Sequence, residues 1–93
     1  MALALDFDWH DRKAASNLEK HGFSFPEAVD VFADPQRIDF DVSRSTDGEE
    51  RRKTVGMLDG KLMTVVYTRR GSVLWIISAR RANRTEAKRY GQG

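Results

Sequence analysis

Three strand-like segments joined by two-residue turns occupy residues 51–80, and this pattern constrains the fold more than any other feature. The segments cover residues 51–58, 61–69 and 72–80, separated by Asp59-Gly60 and Arg70-Gly71. An Asp-Gly pair between strand-like runs is a strong hairpin signal, because such turns require positive φ angles that these residues accept. Segments joined this closely pair antiparallel. The pattern therefore predicts a three-stranded meander in a chain of 93 residues, which forms one domain with one small core.

A fourth strand is predicted ahead of the meander. Ile38, Phe40 and Val42 alternate with polar residues, which is typical of a half-buried strand. Residues 73–77, in the last segment of the meander, are all apolar. Helices on one side, and further core or a partner on the other, are therefore expected to cover both faces of that strand.

Two helices are predicted before the strands. Asp8 is expected to cap a helix over residues 9–21, with Gly22 as the residue after its end. The segment Ser24-Phe25-Pro26-Glu27 has the form of a capping box, which begins a second helix. The apolar stripe of that helix consists of Phe25, Ala28, Val29 and Phe32.

A third, short helix is predicted at the other end of the chain. Asn83 with Glu86 three residues later resembles a helix cap, and the helix is expected to end near Tyr90. The fold class is therefore α+β, with two N-terminal helices, a four-stranded antiparallel sheet and a short C-terminal helix in a single domain of residues 1–93.

The charge of the chain is divided unevenly between its halves. Residues 1–50 carry 12 acidic and 5 basic side chains, and residues 51–93 carry 2 acidic and 11 basic ones, although the net charge is only +2. So dense a basic half indicates a polyanionic partner, with RNA or DNA as the first candidate. The alternative is two solvated faces that neutralise each other.

Several classes of function are excluded or disfavoured. Without cysteine, the chain has no disulfide, no catalytic thiolate and no Cys-based zinc site, and a reducing cytoplasm suits it. Met1–Leu5 is too short and lacks the basic flank of a signal peptide, so no membrane association is expected. The two histidines, without carboxylates at ligand spacing, make a poor metal site, and no nucleotide-binding glycine motif occurs. We expect neither a metal nor another cofactor.

A cluster of cations follows the last predicted strand. Five basic side chains lie within residues 80–89. Guanidinium forks match phosphate oxygens, and a helix start adds backbone donors, so a phosphate-binding site is predicted there. The alternative is a solvated basic helix. The candidate residues are Arg80, Arg81, Arg84 and Lys88.

A polar stripe is predicted along the first helix. Lys13, Asn17 and His21 recur every four residues with Lys20 beside them, so they share one face. Imidazole is the side chain suited to moving protons near neutral pH, and neighbouring lysines suit an anionic substrate. His21 is therefore a candidate proton shuttle, or alternatively a histidine that interacts with the helix dipole.

Two further candidates lie at strand ends. Glu50, before Arg51 and Arg52, is suited to act as a general base or as half of a surface ion pair. Tyr67 stands two residues before Arg69, and an aromatic ring beside an arginine suits stacking on an unpaired base. Simple packing of the Tyr67 ring is the default interpretation.

These motifs occur in a defined order. They are Trp9, Lys13, Asn17 and Lys20-His21-Gly22, then Phe25, Ala28 and Phe32, then Gly48-Glu49-Glu50-Arg51, Val65-Val66-Tyr67-Thr68-Arg69, and Ile76-Ile77-Ser78-Ala79-Arg80 with Glu86 and Tyr90. In this order and separation they closely resemble the BrnT family, the toxin halves of bacterial type II toxin–antitoxin pairs. The resemblance extends from about Asp8 to Tyr90, outside Met1–Leu5, although residues 51–54 are more basic than the usual apolar run there.

The resemblance implies a compact fold like that of RelE-type ribonucleases, RNA cleavage without a metal, and a small antitoxin, BrnA, that carries a DNA-binding region. Operator DNA would then be reached only through the antitoxin. A metal-free ribonuclease needs a base for the ribose 2′-OH, an acid for the leaving oxygen and cations for the phosphate. His21 or Glu50 would transfer protons, and Arg51, Arg69 and Arg80 would stabilise charge. RNA would be bound by Lys13, Asn17, Lys20, Tyr67, Arg81, Arg84 and Lys88.

Two other classes of function stay open at this point. A nucleic-acid-binding module without catalysis, such as a repressor subunit, needs the basic surface but no proton-transfer group. A protein-interaction module would use the two-faced apolar strand and exposed aromatic residues as its interface core.

Overall fold

Within residues 6–46 and 48–92, the part of the chain that the computed structural model describes, five strands form one mixed sheet and three helices pack on it. The elements are β1 (Asp6–Asp8), α1 (Asp11–His21), α2 (Phe25–Val31), β2 (Ile38–Asp41), β3 (Arg52–Leu58), β4 (Lys61–Arg70), β5 (Val73–Arg81) and α3 (Arg84–Gln92). Met1–Leu5, where no signal peptide is expected, lies outside the described residues. None of these helices is long and apolar enough to cross a membrane.

The sheet differs from the predicted one by an additional strand. The strand order is β1-β5-β4-β3-β2, and β1 pairs parallel with the start of β5. The α+β class, the three helices and the four antiparallel strands β2–β5 are confirmed, but a four-stranded, purely antiparallel sheet is wrong. Three residues are too few to show alternation, and Asp8 was assigned to a helix cap. Pairing with β5 and the packing of Phe7 against the Phe32 ring, 4.9 Å between centroids, place the segment in the sheet.

Local signals set most of the helix ends. Helix α1 begins two residues later than predicted, because the Asp8 carboxylate accepts a hydrogen bond from the Trp9 backbone N–H and does not cap the helix. His10 is the N-cap residue instead, and its side chain makes no capping hydrogen bond. Gly22 follows α1 at a φ of 77°, as expected. The capping box is confirmed: Ser24 accepts a hydrogen bond from the backbone N–H of Glu27, and the Glu27 carboxylate accepts one from that of Ser24.

The meander is held by its predicted hairpin and modified by a bulge. Asp59 and Gly60 both have positive φ, 48° and 77°, as a tight hairpin between twisted strands requires. Between β4 and β5, Val66 pairs with Ser78 whereas Tyr67 pairs with Ile76, so Ile77 is an extra residue in β5. The buried positions of β5 accordingly shift from Leu74 and Ile76 before the bulge to Ala79 after it.

The core lies between α2 and one face of the sheet. Phe25 and Val31 are fully buried against strand residues, among them Met63, Val65 and Ile76. The approach is close, because a Cβ at Gly56 would lie 3.0 Å from a Val31 methyl carbon. Two predicted stripe residues, Phe25 and Ala28, are buried, but Val31 takes the place expected of Val29. The side of β5 that faces away from this core carries half-buried residues, such as Trp75 under the His10 ring.

Each terminal helix is attached to the sheet by one buried polar side chain. Among the side chains described in α1, only Asn17 is buried, and in α3 only Glu86. The Asn17 amide donates to the carbonyls of Phe23 and Ala79 at 3.0 and 2.9 Å, and its oxygen accepts from the Ala79 N–H at 3.0 Å. The side chain thus pairs with the edge of β5 as a neighbouring strand would.

We expect Asn17→Ala to destabilise the protein by about 2 kcal/mol, because it leaves the Ala79 N–H and two carbonyls without their partner. Urea unfolding followed by circular dichroism measures the difference. Ser16→Ala, next to it on the exposed side of α1, is the matched control and should change stability by less than about 0.5 kcal/mol. Equal stability of the two variants would contradict a role for Asn17 in attaching α1.

Candidate functional site

A polar cavity opens at one end of the sheet, on the same face as α2. It has a volume of about 360 Å³ and is lined by residues from β2, β3, β4 and the segments that lead into β2 and β3. Tyr67 and Arg52 are direct cross-strand partners and therefore project from the same face of the sheet. The cavity residues are Arg37, Asp39, Glu50, Arg52, Tyr67 and Arg69.

Asp39 is the centre of the hydrogen bonds in this cavity. One carboxylate oxygen accepts from Arg52 Nε at 2.5 Å, and the other accepts from Arg37 Nη1 at 3.1 Å and from the Tyr67 hydroxyl at 2.5 Å. Burial, with the Asp39 hydrogen bond in addition, raises the pKa of Tyr67 to about 12. The same carboxylate raises the pKa of Arg52. At neutral pH the phenol therefore keeps its proton and the guanidinium its charge.

Two groups in the cavity remain accessible. Arg69 is exposed and has no hydrogen bond or ion pair with any residue in the described ranges. The Glu50 side chain is 47% exposed and reaches one terminal nitrogen of Arg52 at 3.4 Å. The cavity thus combines a free cation with a carboxylate that solvent can reach.

Tyr67 and Arg51 lie differently from their sequence predictions. The Tyr67 ring is 4% exposed and packs edge-on against Phe32 at 5.1 Å, so packing of the ring, the default interpretation, is confirmed. Only its hydroxyl is left for the cavity. Arg51 does not line the cavity, and its Nε is buried without a hydrogen bond. Side chains of consecutive extended residues point to opposite faces, so Arg52 occupies the cavity in place of Arg51.

A separate groove runs between α1 and β5. It has a volume of about 200 Å³ and brings together Lys13, Lys20 and His21, as their spacing predicts, with two serine hydroxyls, Ser16 and Ser78. Asn17 also lines it, but all three of its hydrogen bonds go to the backbone of the fold. His21 and Glu50 therefore line different depressions on the surface.

The four candidate cations among residues 80–89 divide into one paired and three exposed side chains. Arg80 forms a two-point ion pair with Glu86, both contacts at 2.8 Å, and Lys53 reaches the same carboxylate at 2.7 Å. Burial opposes the charge of Glu86, but these hydrogen bonds outweigh it and hold the pKa of Glu86 well below its usual range. Its carboxylate in turn raises the pKa of Arg80. The exposed cations are Arg81, Arg84 and Lys88.

Residues 9–86 match the family model described as the ribonuclease toxin BrnT of type II toxin–antitoxin systems. The chain belongs to the BrnT family. Its members are ribonuclease toxins, so RNA is the target and an antitoxin protein the partner. The matched BrnT region includes every residue of the cavity and of the groove, whereas β1 precedes it. No curated protein matches the chain.

Three cavity residues of this BrnT-family chain escaped sequence analysis: Arg37, Asp39 and Arg52. Asp39 belonged to the polar side of a predicted strand, which is ordinarily a solvated face. Its partners lie 2, 13 and 28 residues away in the sequence, so no local pattern brings them together. Within the described ranges, no cluster of three or more histidine and carboxylate side chains could hold a metal ion.

The Glu86 ion pair makes stability depend on pH. Because its pKa is lowered in the folded protein, the stabilisation is fully present above the ordinary glutamate value of 4.5 and is lost as the pH falls below it. We expect the free energy of unfolding to decrease by up to about 1.4 kcal/mol per pH unit in that range through this group. Urea titrations at a series of pH values measure the slope.

Glu86→Gln should be less stable than wild type at neutral pH and should show a shallower decline in acid. Glu19→Gln, an exposed position on α1, should keep the wild-type slope. If Glu86→Gln kept it too, the acid sensitivity would not arise from this carboxylate.

Proposed function

We propose that the protein is an endoribonuclease toxin that cleaves RNA in the Asp39-centred cavity without a metal ion. It acts in the cytoplasm, where cleavage inhibits translation and growth, and is neutralised by a BrnA-like antitoxin. The observation that carries this proposal is the free Arg69 beside the accessible Glu50, in a chain whose family consists of ribonuclease toxins. Two helices packed on an antiparallel meander also support a RelE-type fold.

The cavity residues suit transesterification at phosphorus. The Glu50 carboxylate takes the proton of the ribose 2′-OH, whose oxygen forms a new bond to phosphorus. The bond from phosphorus to O5′ breaks, and its electron pair leaves on O5′, which takes a proton from water. Arg69 neutralises the charge that accumulates on the phosphate oxygens. The products are a 2′,3′-cyclic phosphate and a 5′-hydroxyl, and the need for a 2′-OH restricts the substrate to RNA.

Basic groups outside the cavity suit the rest of the RNA chain. We assign Lys13, Lys20 and His21 in the groove to contacts with the RNA, since cationic and hydroxyl groups there match a sugar–phosphate backbone. We also assign the exposed cations Arg81, Arg84 and Lys88, at the end of β5 and on α3, to contacts with the RNA. Arg51, Arg80 and Asn17 are assigned to the fold, because Arg51 lies outside the cavity and the other two side chains are engaged within the protein.

Wild-type protein incubated with a defined, ribosome-free RNA in EDTA should cleave it. Arg69→Ala should lower kcat by about 10²-fold, the usual effect of removing one group that stabilises transition-state charge. Glu50→Gln should lower it by about 10²-fold or more, because it removes the base. The measurement is product formation on a gel, with end-group analysis for the cyclic phosphate.

Arg12→Ala is the matched control for Arg69→Ala, because it removes one exposed arginine from α1, away from the cavity. It should cleave at the wild-type rate. RNA that stays intact with wild-type protein in EDTA, yet binds it in a salt-sensitive way, would contradict cleavage of free RNA and favour a binding module without catalysis.

The charge of the toxin predicts how it meets its antitoxin. The second half of the sequence carries eleven basic residues. Those that are exposed complement an acidic segment of a BrnA-like partner. We expect the association rate constant to fall at least about tenfold between low and physiological salt, and the dissociation rate to change less. Stopped-flow mixing of the two proteins measures both. Association independent of salt would exclude electrostatic steering.

A further inference from the structure

Hydrogen bonds hold Arg37 and Arg52 in place in the cavity, but they do not use all the N–H donors of either guanidinium group. Arg37 donates through Nε to the Phe32 carbonyl at 3.3 Å and through Nη1 to Asp39 and to Thr54, the latter at 3.0 Å. Arg52 donates through Nε to Asp39 and through Nη1 to Glu50. A guanidinium group carries five N–H donors. Each arginine therefore keeps donors for a further anion.

We propose that Arg37 and Arg52 bind the scissile phosphate together with Arg69, and that Asp39 is the positioning residue that holds these two guanidinium groups in place. The inference rests on the proposed function of the cavity. It adds two phosphate-binding residues to that function and a group that acts through them.

Charge balance in the cavity supports a phosphate as the bound group. Three guanidinium groups face two carboxylates there, Asp39 and Glu50, so one positive charge remains uncompensated. A phosphodiester carries one negative charge, which this positive charge balances. When Glu50 takes the proton of the 2′-OH it becomes neutral, and a second positive charge is left uncompensated as a second negative charge develops on the phosphate. The site therefore becomes more complementary to the transition state than to the bound substrate, which is the condition for catalysis.

The position of Asp39 supports its role in holding the arginines. Free arginine side chains lose conformational entropy when they bind, and donors fixed in advance avoid that loss. The side chains of Arg37, Asp39 and Arg52 are only 28%, 21% and 27% exposed, so their mutual contacts are partly shielded from water. Without Asp39 two like charges would separate, and the phosphate would have to draw them together.

The test compares Asp39→Asn with Asp41→Asn. Asp41 lies two residues further along β2, on the same face and opposite Arg52 in the strand pair. Its carboxylate accepts a hydrogen bond from the exposed Ser43 N–H at 2.7 Å and, within the described ranges, makes none with Arg52. Both substitutions exchange a carboxylate for an amide on one strand. Asp39→Asn should lower kcat for RNA cleavage by about 10²-fold with a much smaller change in KM, because the donors act mainly on the transition state. Asp41→Asn should keep wild-type kcat and KM.

A double-mutant cycle shows whether Asp39 acts through Arg52. In an Arg52→Ala background, Asp39→Asn should lower kcat by far less than in wild type, because the group it positions is already missing. Arg52→Lys, which keeps the charge but loses the fork, should recover only part of the activity lost in Arg52→Ala. Multiplicative effects of the two single substitutions would overturn the positioning role.

Titration of Tyr67 reports the arrangement independently of activity. In a Tyr90→Phe background Tyr67 is the one remaining tyrosine, and its ultraviolet absorbance follows ionisation. Asp39→Asn should lower the pKa of Tyr67 from about 12, because the neighbouring carboxylate contributes to that value. Asp41→Asn should not. An unchanged Tyr67 titration in Asp39→Asn would overturn the contact on which the inference depends.

The results separate this inference from the proposed function. Wild-type protein that cleaves RNA while Asp39→Asn keeps wild-type kcat overturns the inference alone. Wild-type protein that leaves RNA intact in EDTA and in a translating extract overturns the proposed function and the inference with it. Lower thermal stability of Asp39→Asn with unchanged kcat would show that the ion cluster serves only the fold.

Discussion

A polar group can be buried only where its hydrogen bonds are made, and this constraint determines where the first and last helices attach to the sheet. Asn17 satisfies its amide on the β5 backbone and thereby attaches α1. Glu86 collects donors from β3, β4 and β5 and thereby attaches α3. Asp39 does the same for the strands around the cavity, at a site only partly buried. Apolar packing is concentrated in α2 and the sheet, and polar contacts determine where the other elements lie.

In the folded protein, the charged residues of the two halves of the sequence either pair with each other or remain exposed. Part of it is neutralised between the halves, as when Asp39 pairs with Arg52 and Glu49 with Arg70. The mutual neutralisation named as the alternative therefore occurs at these pairs, although the Asp39–Arg52 pair is partly shielded from water. The rest, with Arg69 and the cations around α3, remains available to a polyanion. A basic half of the sequence therefore does not by itself define a basic binding surface, because some of its cations are neutralised by carboxylates within the fold.

Short sequence motifs predicted the parts of the fold that depend on interactions between residues close together in the sequence. The hairpin at Asp59-Gly60, the capping box at Ser24 and the four long strands follow from spacing and turn chemistry. The parallel pairing of β1 depends on a partner 67 residues away, and no local signal carries it. The same holds for the cavity. Glu50 and Arg69 could be predicted because they are charged residues at strand ends, whereas the role of Asp39 depends on its contacts with Arg52 and Tyr67, which are distant in the sequence.

The pairing of β1 with β5 joins two segments that lie far apart in the sequence. Asp6 lies beside Val73 and β5 extends to Arg81, so the sheet is complete only when residue 81 has been synthesised. Contacts between distant residues form late, because a long loop must close first. During translation, a chain that has not yet reached β5 therefore leaves one edge of β4 without its partner strand. A chain truncated before β5 would lack one wall of the groove and the Ala79 partner of Asn17, so the native fold cannot form until β5 has been synthesised.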